Sequence, residues 1–156
     1  MKKFLQCTRL TSINIGDNFD FCAGCFLPFN DNKFPYLREL YAPACGMWTE
    51  DLEAIAKGCP NLEKLNVHAN RRIRNAGVIK LCHSQSKLTL LNLLLLKKVS
   101  DPGLLALAEC PSLEKLFMGK LMATEKGLCA LVKGPSASSL QRLVSLAFSP
   151  PPNPNH

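Results

Sequence analysis

The 156 residues carry 19 Lys and Arg against 12 Asp and Glu, a net charge of +7, with 47% apolar content. A chain of this length folds as one globular domain and needs no disulfide staples to hold a core. Its eight cysteines are too sparse for a disulfide scaffold, and its longest apolar stretch, Leu88 to Leu96, is less than half the roughly 20 residues of a membrane span.

In chain order, the opening MKKFLQCTRLTS has two lysines but no sustained apolar run, so it does not read as a secretory signal. The thiols are therefore expected to be reduced and the chain cytoplasmic, with the nucleus as the alternative. A first short strand is predicted over CTRLTSINI, where Leu10, Ile13 and Ile15 fall in an L-x-x-L-x-L frame. After Asn18 the chain holds Phe19, Phe21, Phe26, Phe29 and Phe34 without helical period, which predicts an irregular, aromatic-filled connection. The frame returns at Leu37, Leu40 and Ala42, and WTEDLEAIAKGCP then spaces Leu52, Ile55 and Ala56 as one helical face. Leu62, Leu65 and Val67 mark the next strand, followed by a shorter helix over RNAGVIKLCH. Leu88, Leu91 and Leu93 precede a helix facing inward through Leu104, Leu107 and Ala108, with Ser100 and Asp101 capping it ahead of Pro102. Leu113, Leu116 and Met118 precede a helix presenting Leu128, Leu131 and Val132, and the last strand is predicted at Leu140, Leu143 and Ser145. The repeats occupy 1–148. The tail 149–156, SPPPNPNH, is predicted to be disordered because its prolines lack the amide donor.

The first leucine of each frame recurs after 27, 25, 26, 25 and 27 residues. A period of this length, with a strand, a tight turn and a helix in each step, marks a unit that cannot bury its apolar face alone. Stacking about six such units of ~26 residues predicts an α/β solenoid, with a curved parallel sheet on the concave face and helices on the convex face. The first strand starts within about ten residues of Met1, which leaves little room for a polar cap. The expectation is a fragment of a longer protein, or an end covered by a partner.

The aligned units resemble the cysteine-containing leucine-rich repeats of F-box substrate receptors and of relatives of the antagonist-of-mitotic-exit protein. The subclass motif reads C-P-x-L-x-x-L-x-L-x-x-(C or N)-x-x-I-T-D-x-G-L-x-x-L-A. Cys59, Pro60, Leu62, Leu65, Val67, Asn70, Ile73, Gly77 and Val78 follow it, as do Leu96, Val99, Ser100, Asp101, Gly103, Leu104, Leu107 and Ala108, leading into Cys110 and Pro111. Cys45 and Asn18 occupy the (C or N) position in their own units. The resemblance spans about residues 7 to 146 and implies a protein partner held in the concave face. Receptors of this class carry an adaptor-binding F-box ahead of the repeats. These 156 residues hold none, so docking through an F-box is not expected, while the antagonist-type branch stays open.

Side chains alternate across a strand, so the positions beside the leucines face the concavity. One row is Ser12, Glu39, Lys64, Leu90, Lys115 and Arg142; the next is Asn14, Tyr41, Asn66, Asn92, Phe117 and Val144, with Pro43, His68 and Leu94 just beyond. Aromatic and leucine side chains ringed by charge have the composition of a protein interface. The competing reading is an ordinary solvated sheet face. Arg71, Arg72, Arg74, Lys97, Lys98 and Lys120 follow successive strands and are predicted to align as a basic ridge, suited to an acidic or phosphorylated partner or serving only solubility. Nucleic acid is disfavoured, since no aromatic residues interleave with the cations as a stacking platform requires.

Cys22 and Cys25 form C-x-x-C, but no second ligand pair accompanies them, and core packing is the expectation. The remaining cysteines fall in repeat registers, Cys59 and Cys110 as small buried residues. His68, His83 and His156 have no evident nucleophile and carboxylate beside them, and no phosphate-binding glycine loop is present. No enzyme, metal or cofactor is therefore expected. The reading is a protein-binding solenoid, most naturally the substrate-recognition part of a ubiquitin-ligase pathway of the SCF type. The alternative is a free-standing scaffold or regulator without a ubiquitin link.

Overall fold

A computed structural model describes residues 7–16, 24–30 and 33–146 of the protein. The expectations for Asn18, Phe19, Phe21, Cys22, His156, the side chain of Ser145 and the tail 149–156 lie outside the described residues. Six strands form one parallel sheet in sequence order: β1 (Ser12–Asn14), β2 (Glu39–Tyr41), β3 (Lys64–Asn66), β4 (Leu90–Asn92), β5 (Lys115–Gly119) and β6 (Arg142–Leu146). Between them run α1 (Thr49–Gly58), α2 (Asn75–Ser84), α3 (Asp101–Ala108) and α4 (Glu125–Lys133), each packed on its neighbour in sequence. Short 3-10 turns occupy Leu27–Phe29 and Pro135–Ser138. This is the expected α/β repeat solenoid, and among the described residues no helix is long and apolar enough to cross a membrane.

The leucine frame becomes the core because period-two alternation sends every second strand residue toward the helices. Leu37, Leu40, Leu62, Leu65, Leu88, Leu91, Leu113 and Leu116 are buried, as are Ala42, Val67, Leu93 and Met118. The frame weakens at both ends. Leu10, Ile15 and Leu140 are half-buried, and Leu143, in the same register as Leu116, is 38% exposed. Val132, expected to face inward, is 51% exposed. Its counterpart Ala108 is covered by Gly134 of the next unit, and no described unit lies beyond Val132.

Among the described residues of the first connection an aromatic cluster and a 3-10 turn stand where the other units carry an α-helix. Phe26, Phe29 and Phe34 are buried, with ring centroids 5.4 Å apart for Phe26 and Phe29 and 4.4 Å for Phe29 and Phe34. Buried Asp51 of α1 anchors this segment, accepting from the amides of Gly24 at 3.2 Å and Phe26 at 2.9 Å.

Units are stitched together by a recurring polar device at the helix starts. The first residue of α1, α2 and α3 accepts a hydrogen bond from the amide preceding the next helix. Thr49 Oγ1 takes Arg74 N at 3.0 Å, Asn75 Oδ1 takes Ser100 N at 2.9 Å, and Asp101 Oδ1 takes Thr124 N at 2.7 Å. Capping by Ser100 and Asp101 of their own helix is therefore corrected: the Ser100 side chain makes no cap hydrogen bond and instead accepts from Asn75 Nδ2 at 2.8 Å, while Asp101 reaches forward. A glycine in the following helix leaves the Asn75 and Asp101 acceptors space. A Cβ on Gly103 would stand 2.9 Å from Asn75 Oδ1, and one on Gly127 2.5 Å from Asp101 Oδ1.

The helix over RNAGVIKLCH is not the shorter one expected. α2 has ten residues, equal to α1, because it continues to Ser84 before Gln85 turns inward and donates to the Ala56 carbonyl at 2.9 Å. The turns after β2, β3, β4 and β5 each place a non-glycine residue in the left-handed region, Ala44, Ala69, Leu95 and Lys120, and Gly46 joins Ala44 in the first of them. In the first three of these turns that residue's amide bonds the next unit's backbone, His68 O, Leu94 O and Gly119 O respectively.

Candidate functional site

The sheet face away from the helices carries the predicted rows in strict lateral register. Glu39, Lys64, Leu90, Lys115 and Arg142 are neighbours across five strands, and beside them run Tyr41, Asn66, Asn92, Phe117 and Val144. Adjacent strands lie about 4.8 Å apart, so each row is a continuous band of side chains.

This face is electrostatically asymmetric. At the β2–β3 end Lys64 Nζ lies 2.7 Å from Glu39 Oε1, and Ser12 donates to the same carboxylate at 3.4 Å. The ammonium hydrogen bond holds the Glu39 carboxyl below its ordinary range, and Glu39 reciprocally raises Lys64. Lys64 is therefore paired within the sheet face, unlike the other cations of its row. At the β5–β6 end Lys115 and Arg142 are exposed and have no ion pair among the described residues. The Arg142 guanidinium sits over Phe117, 5.5 Å from its centroid. Between the two ends Leu90 and Leu94 are half-buried rather than fully exposed, and Tyr41, Phe117 and His68 are half-buried as well.

The asparagines on this face have a structural task. Asn66 Oδ1 accepts from His68 N at 3.0 Å, Asn92 Oδ1 from Leu94 N at 3.1 Å, and Asn14 Oδ1 from Gly16 N at 3.3 Å. Each turns its own chain at the strand end. Their oxygens are thus engaged internally, which narrows the polar contacts they offer a partner.

The predicted ridge residues Arg71, Arg72, Arg74, Lys97, Lys98 and Lys120 are all exposed, along the turns joining strands to helices. Backbone bridges pair Trp48 with Arg72 and Arg74 with Lys98, bringing the turns of consecutive units side by side. Lys120 is displaced from this alignment. It holds the left-handed position occupied by Leu95 and Ala69, ahead of the turn segment that carries the paired cations. Sequence reasoning missed Trp48, which it read only as the start of a helix. The indole is 40% exposed and the Arg72 guanidinium lies 5.1 Å from its centroid.

No group of three His, Cys, Asp or Glu among the described residues could hold a metal ion. Burial pushes the Cys59 thiol up to about 12, and a hydrogen bond to Cys110, then burial, holds Cys82 above its ordinary range. Thiols in this state are poor nucleophiles at neutral pH.

No curated protein matches the chain significantly. A family profile does: residues 1–149 match the family described as "FBD-associated F-box protein At5g56370, LRR repeats". Leucine-rich repeats are stacked units whose extended surfaces bind other proteins. With all but the last few residues inside the match, and with six parallel strands in one sheet, the chain belongs to this leucine-rich-repeat family.

Proposed function

We propose that the protein holds a protein partner on the open face of its sheet, as a substrate-recognition element of an SCF-type ubiquitin-ligase pathway. One observation carries the docking reading: exposed Lys115 and Arg142, unmatched by a carboxylate among the described residues, flank the apolar band of Leu90, Leu94 and Phe117. An apolar centre with a charged rim is the anatomy of an interface, and the cations favour a partner that brings carboxylates. The link to ubiquitin rests on the F-box in the family's description and on the repeat subclass. The alternative remains a regulator that binds through the same face without a ligase.

Affinity purification of the wild-type chain and of a Lys115→Glu/Arg142→Glu variant tests both parts. The expected result is a specific partner lost from the variant, whose thermal midpoint stays within a degree or two of wild type because both side chains are exposed. Retention of every partner by the folded variant rejects the docking face. Recovery of a cullin-type ligase adaptor with the wild type supports the pathway, and its absence alongside a specific partner selects the free-standing regulator.

A further inference from the structure

The turn edge carries a second feature, separate from the open sheet face. At the starts of α1 and α2 lies a cavity of about 480 Å³, bordered by Trp48, Arg72, Arg74 and Lys98 together with Glu50 and Glu53 of α1. Its cations stand on ordered backbone. Arg72 and Arg74 flank Ile73, whose side chain is fully buried, and Thr49 Oγ1 donates to Arg72 O at 3.4 Å and accepts from Arg74 N at 3.0 Å. The Arg74–Lys98 bridge brings in the next unit. Arg72 also borders a second cavity of about 530 Å³, lined besides by Arg71 and by the apolar Ala44, Gly46, Met47 and Ala69.

We propose that this notch seats a phosphorylated serine or threonine of a protein partner, whose backbone continues over the neighbouring apolar trough. The inference rests on the reading of the chain as a protein-binding module, but it uses a different surface. Three cations against two carboxylates, Glu50 and Glu53, border one cavity, and none of the three cations has an ion-pair partner among the described residues. A phosphoryl group brings three acceptor oxygens and a charge of about −1.5 to −2, which suits three cations around one cavity better than a two-oxygen carboxylate does. The Arg72 guanidinium lies over the Trp48 ring, a cation–π contact that holds the charge at the cavity. Nucleic acid fits less well. Glu50 and Glu53 interrupt the positive track that a polyanion follows, and the indole face that a base would stack on is already covered by Arg72.

Trp48 is the single tryptophan of the chain and therefore reports directly on the notch. The intact protein is titrated with acetyl-Gly-phosphoserine-Gly-amide while the Trp48 fluorescence and indole N–H resonance are followed. The expected result is a saturable change, at least about tenfold weaker for the serine and glutamate versions of the tripeptide. Arg74→Gln and Lys98→Gln, which leave the Trp48–Arg72 contact in place, each weaken the phosphopeptide several-fold with an unchanged circular dichroism spectrum. Lys115→Glu/Arg142→Glu leaves the titration as in wild type, so failure of the sheet-face reading and failure of this one are told apart. The proposal is overturned by the absence of a saturable response, or by indifference to both Gln variants. An equal response to free sulfate would mean an adventitious ion only, and an equal response to the glutamate tripeptide or to a thymidine decanucleotide would assign the notch to another ligand; each of these also overturns it.

Discussion

Asp101 grips Thr124 of the following unit with both carboxylate oxygens: Oδ1 accepts from the Thr124 amide and Oδ2 from its hydroxyl, each at 2.7 Å. The Thr124 amide, then its hydroxyl, hold the Asp101 carboxyl below its ordinary range. A group whose folded pKa is depressed contributes stability above its unfolded pKa and loses it as pH falls through the folded value, because the unfolded chain takes up the proton first. Urea unfolding at pH 7 and near pH 3 should therefore show an acid-labile component in the wild type. Asp101→Ala is expected to cost about 1 to 2 kcal/mol at pH 7, the typical loss for a capping acceptor. Asp101→Asn keeps an oxygen for the amide, loses less, and removes this residue's share of the acid dependence. An unchanged pH slope in Asp101→Asn would show that the contact does not form in solution.

The same residue shows how far the sequence could be read. Strand positions and their inward leucines were legible because one register recurs six times, and the six strands pair in that register. Helix positions followed from i, i+3, i+4 spacing at Leu52 and Ile55 and at Leu104 and Leu107. What was not legible is which way a polar side chain reaches. Asp101 before a helix reads as a local cap, yet it serves a residue 23 positions ahead, because stacking brings the next unit's amide within its reach. On the sheet face, Glu39 and Lys64 fall 25 residues apart in equivalent register, so their pairing could have been deduced from the alignment itself. Trp48 lay beyond reach for a different reason: its contact with Arg72 depends on side-chain conformations across two turns, which no periodicity encodes.

Asn70 is the polar residue on which the turn after β3 depends. It is fully buried, and its Oδ1 accepts from Cys45 N at 3.1 Å and Met47 N at 2.9 Å, while Nδ2 donates to Ala42 O at 2.8 Å and Val67 O at 3.0 Å. Asn70→Ala strands two buried amides and removes a donor from two carbonyls. An unsatisfied buried polar group costs about 1–3 kcal/mol, so the variant should lose at least about 2 kcal/mol by chemical denaturation. Asn70→Asp should be no better, since it restores the acceptor but buries a charge and supplies no donors. A loss below about 0.5 kcal/mol for Asn70→Ala would mean that water replaces the side chain.

Leu116 and Leu143 occupy equivalent positions of adjacent strands and differ in what lies beyond them. Leu116 is fully buried between neighbouring units, whereas Leu143 on the last strand is 38% exposed. Leu116→Ala removes close-packed methyl groups on all sides and should cost about 2–5 kcal/mol. Leu143→Ala removes surface that is already partly hydrated, and the expected loss is under about 1.5 kcal/mol. Matched urea titrations of the two variants measure the difference. Equal losses would mean that Leu143 is covered in solution, by another segment of the chain or by a second molecule, and dilution would separate these cases because only association depends on protein concentration.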